Sequence, residues 1–322
     1  MGAFVRASLV TLLTALLLQA DVSVAERGST VSVVGVVHSS DFLTPVLPLT
    51  PGGLYPLGRL DVREVSRLLD RAVPLAVGAH SGEDAWRFLA DPSDKVGILV
   101  DAHTPPASLA LVDLVVDRLV QAGTRPGNII VWADSEKSLF RAGVMLGRGH
   151  DGVSTMGADA EGYAHGTSRI VVSYCRVLIN VARLRADSRI GMWGATANLV
   201  ACVSAQERQR LLSDQRLLPS AAARPAVRLK ARLHIIDALQ PNYEPGPVRM
   251  PPYWNCGTLL ASKDSVATDV VAKGILEEKR AEVAGVPRPL EPEPTYLSTA
   301  ATAYRVGQAD PASITVLHEE LR

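Results

Sequence analysis

The sequence predicts an α/β protein with a mostly parallel, doubly wound sheet and helices on both faces. Three observations predict it: strand-like and helix-like segments alternate, their connections are short, and several strand segments are apolar throughout. Apolar strands of this kind are typical of sheets that helices cover on both sides. With 322 residues, 47% of them hydrophobic, the chain is long enough to form one large domain.

The amino terminus has the three-part pattern of a secretory signal. Arg6 supplies one positive charge, an apolar stretch runs from Ala7 to Leu18, and small residues end at Ala25. A membrane-spanning helix needs about 20 apolar residues, so this stretch is short for an anchor. We therefore predict a Sec-type signal peptide at residues 1–25 and an exported mature chain, periplasmic or secreted. Membrane contact is expected only through an uncleaved signal.

The next segments follow strand and helix periodicities in turn. Residues 30–40 are rich in β-branched residues, which favours a strand, and residues 61–73 place apolar side chains on one stripe, which predicts a helix capped by Asp61. The alternation continues with two further strand and helix pairs. They are a strand at 95–102, a helix at 107–122, a strand at 128–133 and a helix at 136–143.

The second half of the chain is predicted in the same way. A loop rich in glycine and acidic residues spans 150–166, and apolar runs predict strands at 169–175, 176–182, 229–239 and 257–262. A helix is expected from Asp264 to about Val283. A closing helix near 297–304 and a strand at 313–318 complete a single α/β domain over residues 26–322.

Four predicted strands end on a short polar side chain. These residues are Asp101, Asp134, Asn180 and Asp237. In an open parallel sheet, ligands bind in the crevice beyond the carboxyl ends of the strands. Oxygen ligands gathered there would suit a divalent cation such as magnesium or calcium, or a small polar ligand. His103 follows Asp101 closely enough to reach the same rim.

Each of these polar residues also has a plainer interpretation. A short side-chain oxygen after a strand commonly caps the next helix or turn. His103, beside prolines, is more typical of a surface loop than of a ligand site. The hypothesis of a shared ligand site therefore depends on whether the polar side chains converge.

Composition and motif content exclude several classes of function. Lysine plus arginine equals aspartate plus glutamate at 33 each, so no net charge favours nucleic acid. Three widely spaced cysteines are too few for an iron–sulfur cluster and permit at most one disulfide. The sequence contains no nucleophile elbow, Walker loop, dinucleotide-binding glycine pattern or H-E-x-x-H motif.

The order of motifs resembles the domain-of-unknown-function family 362, a set of often exported bacterial and archaeal α/β proteins. The matching segments include "KVGILVDAHTPP", "VLINVARLRADSRIGMWGATANL", "LKARLHIIDALQPNYEPGP" and "GTLLASKDSVATDVVAKGILEEKR". Together with the closing segment they extend over about residues 95–317. The resemblance implies no established chemistry, and the ferredoxin-like module of some relatives has no counterpart here.

The resemblance also indicates where this chain departs from its relatives. Relatives usually carry a lysine and a histidine in the loop after "INV", where this chain has Arg183, Arg185 and Asp187. Ala107 and Ala197 replace a further histidine and lysine. Loss of these groups implies that a family activity is altered or absent. Asp269, in the matching segment "ASKDSVATD", is expected on an inward helix face, either paired with an arginine or on the ligand rim.

Two functional hypotheses follow. In the first, a crevice at the strand ends binds a small polar or anionic ligand, with or without a divalent cation. Acceptors would come from Asp101, Asp134, Asn180, Asp237 and Asp269, and an anion clamp from Arg183 and Arg185. In the second, the protein is a non-catalytic binding or scaffold protein that keeps the fold alone. The position of the acceptors discriminates between the two.

Overall fold

In the computed structural model, which describes residues 31–44, 59–103, 107–147, 152–246 and 253–322, nine strands form one mixed sheet. The described strands are β1 (Ser32–His38), β2 (Leu43–Thr44), β3 (Arg59–Leu60), β4 (Val96–Val100), β5 (Ile129–Ala133), β6 (Ser154–Gly157), β7 (Tyr163–Ala164), β8 (Thr167–Ser168), β9 (Val177–Asp187), β10 (Gly191–Trp193), β11 (Ala231–Asn242), β12 (Thr258–Ser262) and β13 (Ile314–Glu320). Strands β2 with β3, and β7 with β8, form two small separate sheets.

The strand order in the large sheet is β13-β1-β12-β11-β9-β4-β5-β6, with β10 added beside β9. The pairings from β11 through β9, β4 and β5 to β6 are all parallel, as is β1 with β13. Strand β12 is antiparallel to both β11 and β1. The sheet is thus mostly parallel, and the predicted α/β fold class is confirmed.

Helices pack on both faces of this sheet. The described helices are α1 (Val62–Val77), α2 (Gly82–Leu89), α3 (Leu109–Gln121), α4 (Glu136–Arg141), α5 (Ala158–Glu161), α6 (Ala195–Asn198), α7 (Ala205–Ser213), α8 (Pro225–Lys230), α9 (Ser265–Ala284) and α10 (Tyr296–Thr302), with 3-10 turns at Pro126–Asn128, Leu199–Cys202, Leu218–Ser220 and Pro311–Ser313. One apolar core contains α1, α2 and α3, and a second on the opposite face contains α9 and α10. Strands β4 and β5 are buried along their whole length because both faces are covered.

Local sequence signals explain several helix boundaries. Asp61 accepts hydrogen bonds from the backbone N–H groups of Arg63 and Glu64, as expected of the cap of α1. Gly78 ends α1 with a φ of 72°, a left-handed conformation that glycine adopts readily. No helix among the described residues is both long and apolar enough to cross a bilayer. The predicted signal peptide, residues 1–25, lies outside the described residues.

The prediction of a strand at 169–175 is wrong, because residues Ile170–Tyr174 form a π-helix. Lys230 Nζ donates hydrogen bonds to the carbonyl oxygens of Val171, Val172 and Cys175 at 2.6, 3.0 and 2.8 Å. These bonds satisfy carbonyl groups of the π-helix and of Cys175 just after it. Because Lys230 is more than 50 residues away in sequence, the local apolar pattern could not indicate these bonds.

Two further predictions require correction. Strand β9 continues to Asp187 and β11 to Asn242, so Asn180 and Asp237 lie within strands rather than at their ends. The part of the predicted loop at 150–166 that is described contains the edge strand β6, helix α5 and β7. Asp101 and Asp134, by contrast, directly follow β4 and β5.

Candidate functional site

A cleft of about 650 Å³ lies at the carboxyl ends of four neighbouring strands. It is lined by His103 after β4, Arg141 in the helix after β5, Arg185 at the end of β9 and Asn242 at the end of β11. From β4 the chain continues to β5 on one side, whereas β9 and the strand after it in the sheet, β11, lie on the other side of β4. Ligands of α/β proteins commonly bind in the crevice between two strands whose connections diverge in this way. We call this site the arginine cleft, after its lining residues Arg141, Arg185, Arg189 and Arg208.

Asp101 anchors one wall of the arginine cleft. Its side chain has no exposed surface, and Arg185 Nη1 lies 2.5 Å from its Oδ2. His103 Nδ1 lies 3.1 Å from the other oxygen. Burial alone would raise the pKa of Asp101, but Arg185 and His103 hold that pKa well below its ordinary value. Asp101 is therefore a charged anchor that orients a cation and an imidazole at the surface of the cleft.

Trp193 links the two groups that Asp101 holds. The Arg185 guanidinium carbon lies 4.6 Å from the Trp193 ring centroid, and the His103 ring centroid lies 5.2 Å from it. The indole is 2% exposed. A guanidinium stacked on an aromatic ring is restricted in its motion, which reduces the entropy lost on ligand binding.

Asp134 has an equivalent role on the neighbouring wall. Arg208, from helix α7, places Nη2 2.8 Å from Asp134 Oδ2. The Arg208 side chain is 15% exposed and lines the arginine cleft. Asp101 and Asp134 thus each support an arginine at the cleft.

Asp237 caps local structure instead. Its Oδ2 accepts a hydrogen bond from the Ser108 backbone N–H at 2.7 Å, at the start of α3, and its Oδ1 accepts one from Leu239 N–H at 3.1 Å. The second bond lies where the register between β11 and β9 is interrupted. Both carboxylate oxygens are therefore occupied by backbone donors.

Asn180 and Asp269 lie in the core rather than among the cleft-lining residues. Asn180 is fully buried and hydrogen-bonds to Ala195 O, His234 Nδ1 and the Asn198 side chain. Asp269 accepts hydrogen bonds from the Ala195 and Thr196 backbone N–H groups at 2.6 and 2.9 Å. It has neither of the two roles expected from the sequence, because it caps the start of α6.

Burial changes the acidity of Asp269. Removal from water raises its pKa to about 7, although the N–H groups of Thr196 and Ala195 act in the opposite direction. A methyl group on Gly194 would overlap Asp269 Oδ1. Only glycine at that position leaves room for the carboxylate.

Arg183 lies beside the cleft residues but faces a different partner. Its Nη2 donates to Gln240 O at 2.6 Å, and its guanidinium carbon lies 5.4 Å from the Tyr253 ring centroid. Tyr253 itself lines the cleft. Of the two arginines predicted as an anion clamp, Arg185 lines the cleft and Arg183 supports its aromatic wall.

Sequence reasoning missed much of the lining, including Arg141, Arg189, Arg208, Trp193 and Asn242. Three buried polar atoms of the lining residues have no hydrogen-bond partner in the described structure: Arg208 Nη1, Trp193 Nε1 and Asn242 Oδ1. These three atoms have almost no accessible surface, so they do not open on the cleft. Little in the sequence indicates that Arg208 lines a cleft, because it lies in the polar run "QERQR", which is typical of an exposed helix.

Metal binding was one possibility considered from the sequence. Within the described ranges, no group of three or more His, Cys, Asp or Glu side chains is placed to hold a metal ion. The carboxylates of Asp101 and Asp134 instead pair with arginines.

Residues 167–273 match the family model "Domain of unknown function (DUF362)", which confirms the predicted resemblance over that segment. Among solved structures, the chain is similar to a crystallised Thermotoga maritima protein, a target of the Northeast Structural Genomics Consortium. The identity is 8% and the TM-score 0.37, over 61% of this chain and 54% of that chain. This chain thus spans about half of that protein's length. No curated protein matches the sequence.

Proposed function

We propose that this chain, whose residues 167–273 match the DUF362 model, binds a small organic anion in the arginine cleft. The observation that carries the proposal is the convergence of four arginines on one cleft at the carboxyl ends of parallel strands. We also propose that the protein acts outside the cytoplasm, on the basis of the signal-like pattern of residues 1–25.

The charge balance of the lining supports an anionic ligand. Four of the described lining residues are arginines, and three of them pair with a carboxylate: Arg185 with Asp101, Arg208 with Asp134 and Arg189 with Asp187. The described lining therefore keeps one unbalanced arginine, Arg141. Arg141 is exposed and has no ion-pair or hydrogen-bond partner in the described chain. Arg208 uses Nη2 for Asp134, and its Nη1 is buried. Arg141 therefore retains donors for a carboxylate or phosphate oxygen.

The size and the aromatic wall support an organic ligand rather than a bare ion. Small-molecule sites commonly enclose about 300–1,000 Å³, and this cleft encloses about 650 Å³. Tyr253 provides aromatic surface in the lining, and the nearly buried Trp193 supports Arg185 from below. A ligand with one or two anionic groups on a compact carbon skeleton fits this combination.

The experiment is thermal unfolding and calorimetric titration of the protein without residues 1–25, with citrate and benzoate as probes. Ligand in excess of its Kd raises the unfolding midpoint by mass action. Arg141→Gln should weaken citrate binding by roughly 10- to 100-fold, since a charge-assisted hydrogen bond contributes roughly 1.5–3 kcal/mol. Arg125→Gln is the matched control, because Arg125 is also exposed but lies at the amino end of β5.

The expected outcome is binding that Arg141→Gln weakens and Arg125→Gln leaves unchanged. Equal effects of the two variants would mean that citrate senses only the general surface charge. A flat response of well-folded protein to both probes would also overturn the proposal.

A second candidate function is general acid–base chemistry on the bound anion. The observation that favours it is the Asp101–His103 contact, which occupies Nδ1 and leaves Nε2 without a partner in the described structure. The test is hydrolysis of small carboxylate and phosphate esters by wild type and His103→Gln. Turnover that disappears in His103→Gln while citrate binding persists supports it, and equal background rates contradict it.

A further inference from the structure

A second cavity, of about 240 Å³, lies at the opposite end of the sheet from the arginine cleft. Ala231 and His234, near the start of β11, line this cavity, whereas Asn242 at the end of β11 lines the cleft. Eight residues of extended strand separate His234 from Asn242, a distance of roughly 25 Å. The cavity is therefore a separate site. We call it the His234 cavity.

Hydrogen bonds in the core determine which ring nitrogen of His234 carries its proton. Asn180 Oδ1 accepts a hydrogen bond from Asn198 Nδ2 at 2.8 Å, which identifies the other end of the Asn180 amide as the donor. That Nδ2 donates to Ala195 O at 2.8 Å and contacts His234 Nδ1 at 3.1 Å. Nδ1 must then accept, so the proton of the neutral ring lies on Nε2.

His234 remains neutral in this environment. The side chain is 3% exposed, and burial lowers its pKa to about 4, although nearby Asp264 acts in the opposite direction. Its Nε2–H has no hydrogen-bond partner in the described structure, while the residue lines the cavity. Because the ring lines the cavity, this unused donor is available to an acceptor that enters the cavity.

Three exposed cations surround the same cavity: Arg228, Lys263 and Arg305. No hydrogen bond or ion pair joins any of them to another described side chain, although Lys263 Nζ lies 5.5 Å from the exposed Phe88 ring centroid. Arg305 has a φ of 54°, an uncommon conformation for a non-glycine residue, and it lies in the turn before Gly307. Gln308 N–H donates a hydrogen bond to Asp264 Oδ2 at 2.8 Å, and this bond holds the turn next to the cavity.

The one carboxylate among the described residues of the lining, Asp264, already has several hydrogen-bond donors. Asp264 accepts hydrogen bonds from the Val266 and Ala267 N–H groups at the start of α9, and also from Ser32 Oγ and Gln308 N. It is balanced by the positive end of this 20-residue helix. Ser265, 4% exposed, lines the cavity with a hydroxyl that has no partner in the described chain. Among the described lining residues, the donors of His234 and Ser265 and the three cations therefore lack an anionic partner, whereas the carboxylate has its hydrogen bonds already.

We propose that the His234 cavity binds a phosphate group, which receives hydrogen bonds from His234 Nε2 and the Ser265 hydroxyl and is neutralised by Arg228, Lys263 and Arg305. The cavity is smaller than most small-molecule sites, so it suits a single phosphate group rather than a nucleotide. The phosphate is either free or the exposed end of a larger molecule. The proposal does not depend on what the arginine cleft binds.

The first test is titration of the protein with inorganic phosphate and with a phosphate monoester, glycerol 3-phosphate. Lys263→Gln and Arg305→Gln should each weaken phosphate binding by about 10-fold, because each removes a charged partner. Both residues are exposed, so the variants are expected to fold. Arg141→Gln in the arginine cleft is the control. Equal affinity for both probes identifies the phosphate group as the recognised part, and tighter binding of the monoester identifies a larger natural ligand.

The second test measures the protonation of the His234 ring nitrogens by nitrogen NMR. The His234 resonances, assigned by their absence in His234→Gln, should show a proton on Nε2, and the Nε2 signal should shift as phosphate saturates. Phosphate binding that Arg141→Gln abolishes and Lys263→Gln leaves intact would place the anion in the cleft and overturn this proposal. A His234 signal that does not move at saturation, or no phosphate binding at all, would also overturn it.

Discussion

Arg185 Nη1 lies 2.5 Å from Asp101 Oδ2, and this ion pair is almost completely withdrawn from water, with side-chain exposures of 11% and 0%. Removal of one partner from a buried pair leaves an uncompensated charge, whereas an exposed pair contributes little. The same contact orients the arginine over Trp193. The pair therefore affects both the stability of the protein and the shape of the arginine cleft.

Arg185→Gln should lower the free energy of unfolding by about 3–5 kcal/mol, because Asp101 would remain buried without its cation. Urea unfolding at pH 7 measures the change. Arg216→Gln is the matched control, since its pair with Asp214 is exposed, at 80% and 33%, and its loss should leave the free energy of unfolding almost unchanged. Similar losses of unfolding free energy in the two variants would show that burial does not determine the contribution of these ion pairs.

Asp269 predicts a specific dependence of stability on pH. Its pKa is raised from 3.8 to about 7 by burial, so the folded protein binds a proton there that the unfolded chain releases. This contribution to stability is fully present below about pH 4 and is lost as pH rises through about 7, at up to roughly 1.4 kcal/mol per pH unit. Asp269→Asn should lack this component. Urea unfolding of both proteins from pH 4 to pH 8 tests it, and parallel curves would contradict it.

Gly194→Ala should destabilise the protein by about 1–3 kcal/mol, because the added methyl group would overlap the Asp269 carboxylate that caps α6. Gly274→Ala is the matched control. Gly274 lies within α9, and a methyl group there would meet no atom within 4 Å other than the backbone of its own helix. Alanine favours a helix, so this variant should gain roughly 0.5–1 kcal/mol. Thermal unfolding of the two variants measures the difference, and a neutral Gly194→Ala would show that α6 can shift.

The three cysteines should react slowly with thiol reagents in the folded protein. They are free, and burial raises the pKa of Cys175 and Cys256 to about 11 and that of Cys202 further. The thiolate is the reactive form, so little of it is present at pH 8. Ellman's reagent should modify all three rapidly in urea and none rapidly without it. Fast reaction of one thiol in folded protein would show that its surroundings open.

The sequence predicted the fold class better than the site because the two depend on different kinds of information. Apolar runs such as 96–100 report burial on both faces, and this alone indicates a helix-covered sheet. The direction of β12 depends on its neighbours β11 and β1, and no local pattern records it. Asn180 looked like the end of a strand because a polar residue interrupts an apolar run. Its three hydrogen bonds in the core explain how the strand continues past it.

The same distinction applies to the arginine cleft. Asp101 and Asp134 were predictable because each follows a recognisable strand. Arg208 and Trp193 reach the cleft from segments whose relation to it is set only by tertiary packing. Asp237 accepts a hydrogen bond from the Ser108 N–H, and the two residues are 129 positions apart in sequence. The capping role of Asp237 could therefore not be predicted from the local sequence.

Strand β1 has β12 on one side and β13 on the other, and both of these neighbours lie in the last quarter of the chain. On a ribosome, β1 emerges long before either partner exists, and contacts between distant segments form slowly. A nascent chain that ends before residue 258 would expose two unpaired backbone edges of an apolar strand, which is a template for aggregation. The segment Ser32–His38 is therefore where a chaperone that holds the incomplete chain would be of most use.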